Sequence, residues 1–319
     1  MALLNFYGAI QQVTGSCYLI ESRDGSRVLM ECGMRQGRRD DLEGNRAAFP
    51  FDPDSLHAVV ISHAHLDHSG LLPKLAAAGY RGPIYATTAT CELLELMLLD
   101  SAHIQEHDAE WENKWRLRVG KPAITPLYST ADAEAALKLR RPLNYGQQHE
   151  VAPGIRLTYH DAGHILGSAI VELEVDDHHL TRRLVFSGDL GNTCSPLMHT
   201  PATLTRADVV MLESTYGDRD HRCSEATLDE LAEILQLAHR EGGNVLIPSF
   251  AVGRTQDLIY YLGRFYQEGR LPQQAVFLDS PMAIRANAIY NHYLDQLNPQ
   301  DLALLNAKGI KRIEDWLPI

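Results

Sequence analysis

Residues 63–68 read His-Ala-His-Leu-Asp-His and follow directly on the apolar run His57-Ala-Val-Val-Ile-Ser62. Such a continuous run marks a strand buried on both faces. The histidine cluster therefore sits where a buried strand ends, on a turn whose alternating imidazoles can face one cation while the next two residues face a second. That is the ligand spread of a two-metal centre, with metals roughly 3.5–4 Å apart. Read instead as a solvated loop, the string has no reason to hold three histidines and an aspartate in six positions.

Three more expected strand ends lead into residues of ligand type. Residues 155–161 run into Gly163-His164, residues 184–187 into Gly188-Asp189, and residues 209–212 into Glu213. In a sheet sandwich, strand ends converge on one rim, so imidazoles and carboxylates far apart in sequence can meet there. A mixed imidazole and carboxylate set suits zinc better than magnesium or calcium, which prefer oxygen alone; iron and manganese remain alternatives.

The length of 319 residues gives a prior of about two domains, and 45% apolar with 22% charged residues excludes a disordered, collagen-like or membrane-spanning chain. A net charge of −12 argues against gripping nucleic acid by overall charge, so a polyanionic substrate needs a local positive site, which bound metal ions would supply. Cys17, Cys32, Cys91, Cys194 and Cys223 form no C-x-x-C pair and are odd in number, as expected of buried thiols in a reducing compartment. Met1-Ala-Leu-Leu-Asn-Phe-Tyr has neither a basic nor a long apolar leader region, and no run approaches the ~18 apolar residues of a membrane helix. A cytoplasmic protein without a membrane partner is expected.

Alternating apolar residues predict strands over 4–10, 17–21 and 27–31, the last two joined by a turn at Asp24-Gly25. Helices are expected over 71–78 and 88–106, and helices with a longer connection through 105–148. Strands return over 155–160, 169–175, 183–187 and 208–213, with Asp176-Asp-His-His179 as an exposed hairpin tip. Beyond Gly217 the pattern becomes helix 224–241, strand 244–247, helix 255–266, strand 275–278 and helix 283–297, an alternation that predicts a parallel sheet. The expected domains are residues 1–217 and 218–319.

The H-x-H-x-D-H string, Gly163-His164, Gly188-Asp189 and the early Glu31-Cys-Gly33 together resemble the metallo-β-lactamase superfamily. Glu213-Ser-Thr-Tyr-Gly217 resembles the acidic motif that opens the β-CASP insertion of its nucleic-acid-processing branch. Pro248-Ser-Phe-Ala-Val-Gly-Arg-Thr-Gln-Asp257 and Leu278-Asp-Ser-Pro-Met-Ala283 are similar to segments inside that insertion, and Asp100-Ser-Ala-His-Ile-Gln105 to a helix of the branch. The resemblance spans nearly the whole chain. It implies an α/β fold, an αββα sandwich followed by a partial βα β-CASP domain, and relatives such as ribonuclease J and the endonuclease of the cleavage and polyadenylation machinery.

Carried onto this sequence, the resemblance implies that His63, His65 and His164 hold one zinc, Asp67 and His68 the other, and that Asp189 bridges both. A hydroxide between the metals would attack an RNA phosphodiester in line and leave a 5′-phosphate. Asp67 and Glu213 are the expected catalytic carboxylates. Glu31, where the family usually carries Asp, would orient ligand histidines with one extra methylene and the same charge. Arg254, at the start of a helix, is the candidate phosphate contact. Two later histidine motifs of the branch have no counterpart in residues 1–319, so the second zinc site is expected to be incomplete here. The alternatives are a nuclease acting on single-stranded DNA, a thioester or lactam hydrolase, and an inactive scaffold paralogue. The Glu213 motif and the βα cassette argue against a small substrate, and the six intact ligands argue against a scaffold. A homodimer is compatible with all of these.

Other patterns have plainer readings. His103-Ile-Gln-Glu-His107 matches the H-x-x-E-H protease pattern, which arises readily in a chain with 15 histidines. His178 and His179 read as an exposed turn and Cys32 as a packed thiol. Lys114, Arg116, Arg118 and Lys121, with Trp111 and Trp115 nearby, read as a solvated helical face, with nucleic-acid contact as the alternative.

Overall fold

The computed structural model describes residues 2–37, 43–177, 180–193, 195–220, 222–271 and 275–317; His178, His179 and Cys194 lie outside the described residues. The chain clusters into two compact units. One comprises Met1–Asp161, Gly167–Asp189 and Ala202–Leu212, the other Ala162–Leu166, Leu190–Pro201 and Glu213–Ile319.

The first unit runs β1 (Leu3–Phe6), β2 (Tyr18–Glu21), β3 (Arg27–Met30), β4 (Ala58–Val60), α1 (Leu66–Ser69), α2 (Leu72–Ala77), β5 (Ile84–Thr87), α3 (Thr88–Arg118) and α4 (Thr130–Leu137), then β6 (Arg140–Leu143), β7 (His149–Ala152), β8 (Ile155–Asp161), β9 (Ala169–Asp177), β10 (Leu180–Phe186) and β11 (Val209–Met211). One sheet has the order β1-β2-β3-β4-β5-β6, the other β11-β10-β9-β8-β7. Their facing sides share one core, with Tyr18, Ile20, Val28, Met30 and Val60 from the first sheet against Leu157, Tyr159, Val171, Leu173 and Phe186 from the second. This is a mixed α/β sandwich. Strand β4 is buried throughout and lies between β3 and β5 in parallel pairings, as a continuous apolar run demands.

Three differences from the sequence reading have physical causes. Strand β1 stops at Phe6 rather than residue 10 because Ala9 and Gln11 take left-handed backbone angles of 50° and 57°. Helix α3 runs twelve residues past Glu106, to Arg118, since no glycine or proline interrupts 88–118 and polar residues alone do not end a helix. Strand β6 was hidden by its sequence, Arg-Arg-Pro-Leu, which neither alternates nor avoids proline; its place at a sheet edge tolerates both.

The second unit contains α5 (Ser224–Glu241), α6 (Arg254–Gln267), α7 (Pro281–His292) and α8 (Pro299–Ala307). The expected strands over 244–247 and 275–278 are not paired: among the described residues no ladder follows β11, and Leu246 and Phe277 are 92% and 86% exposed. Apolar β-formers set only a preference; a strand also needs a neighbouring backbone to bond. The unit is held by Trp316 in a closing turn, Ile313–Trp316. Its ring lies 5.2 Å from that of Tyr260 on α6, and a Cβ on Gly263 would come within 2.3 Å of the Trp316 Cβ, so only glycine fits there. Trp316 is 2% exposed. Trp316→Ala is therefore expected to destabilise this unit by about 3–5 kcal/mol, read as an earlier transition in urea. A shift below about 1 kcal/mol would show that the turn is dispensable.

No described helix is long and apolar enough to cross a membrane.

Candidate metal centre

Beyond β4 the chain continues through Ile61 and Ser62, and the Ser62 carbonyl accepts the Ala169 N–H at 2.9 Å, which ties this strand end to the opposite sheet. The following turn, 63–69, is fixed by backbone bonds from outside itself. Ser16 donates to Asp67 at 2.9 Å, Met34 to Leu66 at 2.8 Å and Cys32 to His68 at 2.8 Å. Any side chain at Gly33 would put a Cβ 1.7 Å from the Asp67 carbonyl. The histidines thus stand on rigid backbone before any ligand arrives.

Glu31 organises the interior side of this turn. Its carboxylate is fully buried and accepts the Ser62 N–H at 2.7 Å, the Ser62 hydroxyl at 2.8 Å and His68 Nδ1–H at 2.5 Å. Since the single Ser62 proton goes to Glu31, the 3.0 Å contact between Ser62 Oγ and His63 Nδ1 requires the proton on His63 Nδ1. The hydrogen-bond network, rather than any observed proton, assigns both tautomers. The consequence is that His63 and His68 each turn Nε2 toward the same space, as ligand imidazoles with an oriented far nitrogen do. Glu31 itself takes a left-handed φ of 64°, a conformation that costs a non-glycine residue about 1 kcal/mol and collects at functional sites.

Donor atoms converge in that space. His63 Nε2 is 3.2 Å from His65 Nδ1 and 3.8 Å from one Asp189 oxygen, while His68 Nε2 is 3.1 Å from the other Asp189 oxygen and 3.8 Å from Asp67 Oδ2. One atom each from His63, His65 and Asp189 fall within 4.8 Å of one another, a spacing a single cation can span. Asp189 presents one oxygen to the His63 side and one to the His68 side, the arrangement a bridging carboxylate takes. A second cluster groups Glu31, His63 and His68, but all the bonds of Glu31 just described go to Ser62 and His68, so it orients rather than ligates. The cluster calls for positive charge: burial pulls the His68 pKa down, yet hydrogen bonds to Asp189 and Glu31 outweigh it and raise it well above the ordinary imidazole range. Imidazole and carboxylate donors with this demand fit a divalent metal ion.

The structure brings His63, His65, Asp67, His68 and Asp189 together, with Glu31 behind them. His164 lies on the loop after β8, in a segment that belongs to the second unit. Glu213 accepts the Leu190 N–H at 3.0 Å and so holds the backbone next to Asp189 in sequence. Arg254 opens α6 with its side chain 67% exposed, 3.4 Å from Asp257, whose carboxyl burial pushes up to about 6 against the pull of Arg254. His103 and His107 are both exposed on α3, and no cation-binding group among the described residues includes them. Their Glu106 has another task, accepting the Thr130 N–H and hydroxyl at the start of α4. Cys32 is a buried thiol whose pKa burial raises well above normal, an unreactive state. Ser62 was missed by sequence reasoning; the available signal was a hydroxyl residue directly before H-x-H, within reach of a buried carboxylate.

Residues 11–217 match the metallo-beta-lactamase superfamily, and residues 255–314 match the Beta-Casp domain. The chain belongs to the metallo-beta-lactamase superfamily. It is similar to a protein of Thermus thermophilus named as a ribonuclease, 42% identical over 89% of this chain and 59% of that protein. It also resembles the transcription termination factor FttA of Methanothermobacter thermautotrophicus, 35% identical over 91% of this chain and 43% of the relative. An RNase J-like protein of Methanocaldococcus jannaschii is 30% identical over 94% of this chain and 63% of its own length. The chain thus spans between 43% and 63% of the length of these relatives.

Proposed function

We propose that this chain carries the metal centre of a zinc-dependent ribonuclease, with residues 1–217 as the metal-binding domain and 218–319 as part of a β-CASP domain. The observation that carries the reading is the convergence of His63 Nε2, His65 Nδ1, His68 Nε2 and both Asp189 oxygens, backed by Glu31 and Ser62. Relatives named as ribonuclease and RNase J-like support RNA as the substrate.

Zinc, when bound, supplies Lewis-acid activation of a water and of a phosphoryl oxygen. His63, His65 and His164 are assigned to one ion, Asp67 and His68 to the other, and Asp189 to both. The Ser62 hydroxyl holds the His63 tautomer, and Glu31 holds that of His68, so each lone pair is aimed before the ion enters. Glu213 acts as a positioning residue through the Leu190 N–H, which fixes the backbone beside Asp189. Arg254, with its side chain 67% exposed, is assigned a substrate phosphate.

The test is to incubate the zinc-loaded chain and a chelator-treated sample with end-labelled single-stranded RNA and DNA, reading products from both ends. Shortening of RNA only in the metal-loaded sample is the expected result. Preferential cutting of DNA would move the substrate class. Turnover of a thioester or lactam with RNA left intact would overturn the reading, as would elemental analysis that finds no transition metal after dialysis.

A further inference from the structure

Helix α3 is 31 residues long, roughly 45 Å, yet its last buried side chain is Ala109. The final turns leave the core and are held another way. Asn113 Nδ2 donates to the Ile124 carbonyl at 2.8 Å, Ile124 N–H donates back to Asn113 Oδ1 at 2.7 Å, and Arg116 Nε donates to the Pro122 carbonyl at 2.7 Å. The returning chain is thereby strapped to the side of the helix that carries Asn113 and Arg116, while Arg116 also pairs with Glu112 at 3.0 Å. At 100° per residue the opposite side carries Trp111, Lys114, Trp115 and Arg118 in one sector.

That sector is bare. Trp111 is 69% exposed and Trp115 50%, and Lys114, Arg118 and Lys121 are exposed as well. Among the described residues no ion pair engages Lys114, Arg118 or Lys121, and the Lys121 ammonium lies 5.0 Å from the Trp115 ring centre. Large aromatic rings gain nothing for folding when left in water, so a rigid helix that displays two of them between unpaired cations fits an occupant that offers flat apolar faces joined by negative charge. The acidic side chains that flank the sector are Asp108, one turn back from the first ring, and Glu110, four residues before Lys114 at the sector's edge; no ion pair links Glu110 to Lys114 among the described residues. Residues 111–121 set Lys114, Arg116, Arg118 and Lys121 against Glu112 alone, in a chain whose net charge is −12. The local positive site that a polyanion would need is therefore present at the end of this helix and just beyond it.

We infer that the exposed face of α3 formed by Trp111, Lys114, Trp115 and Arg118, with Lys121 just beyond the helix end, is a binding platform for single-stranded RNA. Trp111 and Trp115 stack unpaired bases, which every base permits and duplex does not, and the three cations follow the backbone. The two rings are one helical turn apart, about 5–6 Å between Cβ atoms, so they address separate bases of one strand. The platform takes its polyanion from the ribonuclease reading but needs none of the metal ligands, so binding and cleavage test the two separately.

The experiment is fluorescence anisotropy of a labelled 20-nucleotide single-stranded RNA with the whole 319-residue chain, in chelator so that cleavage is held off. Trp111→Ala/Trp115→Ala is expected to lower affinity at least about tenfold, and Trp111→Phe/Trp115→Phe to recover most of it. Lys114→Gln/Arg118→Gln/Lys121→Gln is expected to reduce the slope of log affinity against log salt by about 2. The melting temperature should hold in all three, since none of these side chains is buried. Unchanged RNA affinity in the Trp→Ala pair, or equal affinity for duplex RNA, overturns the platform whatever the cleavage assay shows. Loss of self-association by sedimentation in the Trp→Ala pair, with RNA affinity intact, would instead assign the face to a second copy of the chain and overturn the inference. RNA bound through the tryptophans without any metal-dependent cleavage would support the platform and sink the ribonuclease reading.

Discussion

Replacing His65 with alanine is expected to reduce metal-dependent cleavage of single-stranded RNA by more than about 100-fold, with the fold retained. Loss of a group that merely orients a ligand lowers metal affinity or activity 10–100-fold, so loss of a ligand exceeds that range. His65 is half-buried at the rim of the sandwich, its Nδ1 3.2 Å from His63 Nε2, and it contributes no packing to the core between the sheets. Asp67→Asn should behave alike, because its carboxylate faces His68 Nε2 while its backbone carbonyl, which the substitution keeps, is what braces the turn. His103→Ala and His107→Ala serve as controls and should leave cleavage unchanged. Near-normal cleavage by His65→Ala, with metal content preserved, would remove this histidine from the ligand set. A large loss in either control would revive the H-x-x-E-H pattern as a second metal site.

Glu31→Ala is expected to act on both stability and metal affinity. Removing the carboxylate leaves the Ser62 N–H and His68 Nδ1–H buried with no acceptor, and breaking a buried charged pair in this way destabilises by about 3–5 kcal/mol. The same change frees His68 and Ser62 to rotate, so metal affinity should fall about 10–100-fold. Urea denaturation and a metal titration read the two effects separately. Glu31→Asp restores the charge but is one methylene shorter, and should recover stability more fully than affinity, since a charge can be satisfied with relaxed geometry while a ligand's aim cannot. Metal affinity unchanged in Glu31→Ala would mean that the histidines are oriented by the backbone alone.

Much of this molecule is local information. The buried run at 58–61, the turn of histidines after it, the hairpin of β2 and β3 and the helices beyond Gly217 follow from residue pattern, because a pleat has period two, a helix period 3.6, and apolar side chains leave water in either case. The candidate ligand types and their spacing were legible for the same reason: three imidazoles and a carboxylate in six residues are a chemical statement that needs no fold. What tertiary structure alone decided concerns partners distant in sequence. Glu31 reaches Ser62 and His68 because β3 and β4 pair in parallel, and that pairing fixes which nitrogen of His63 and of His68 faces Asp189. The segments 244–247 and 275–278 have the composition of strands yet join no ladder among the described residues, since a strand is completed by hydrogen bonds that its own sequence does not contain. Trp111 and Trp115 likewise read as an ordinary helical face until the strap of residues 122–124 is seen to occupy the other side; burial is a property of neighbours, and sequence specifies neighbours only through the fold.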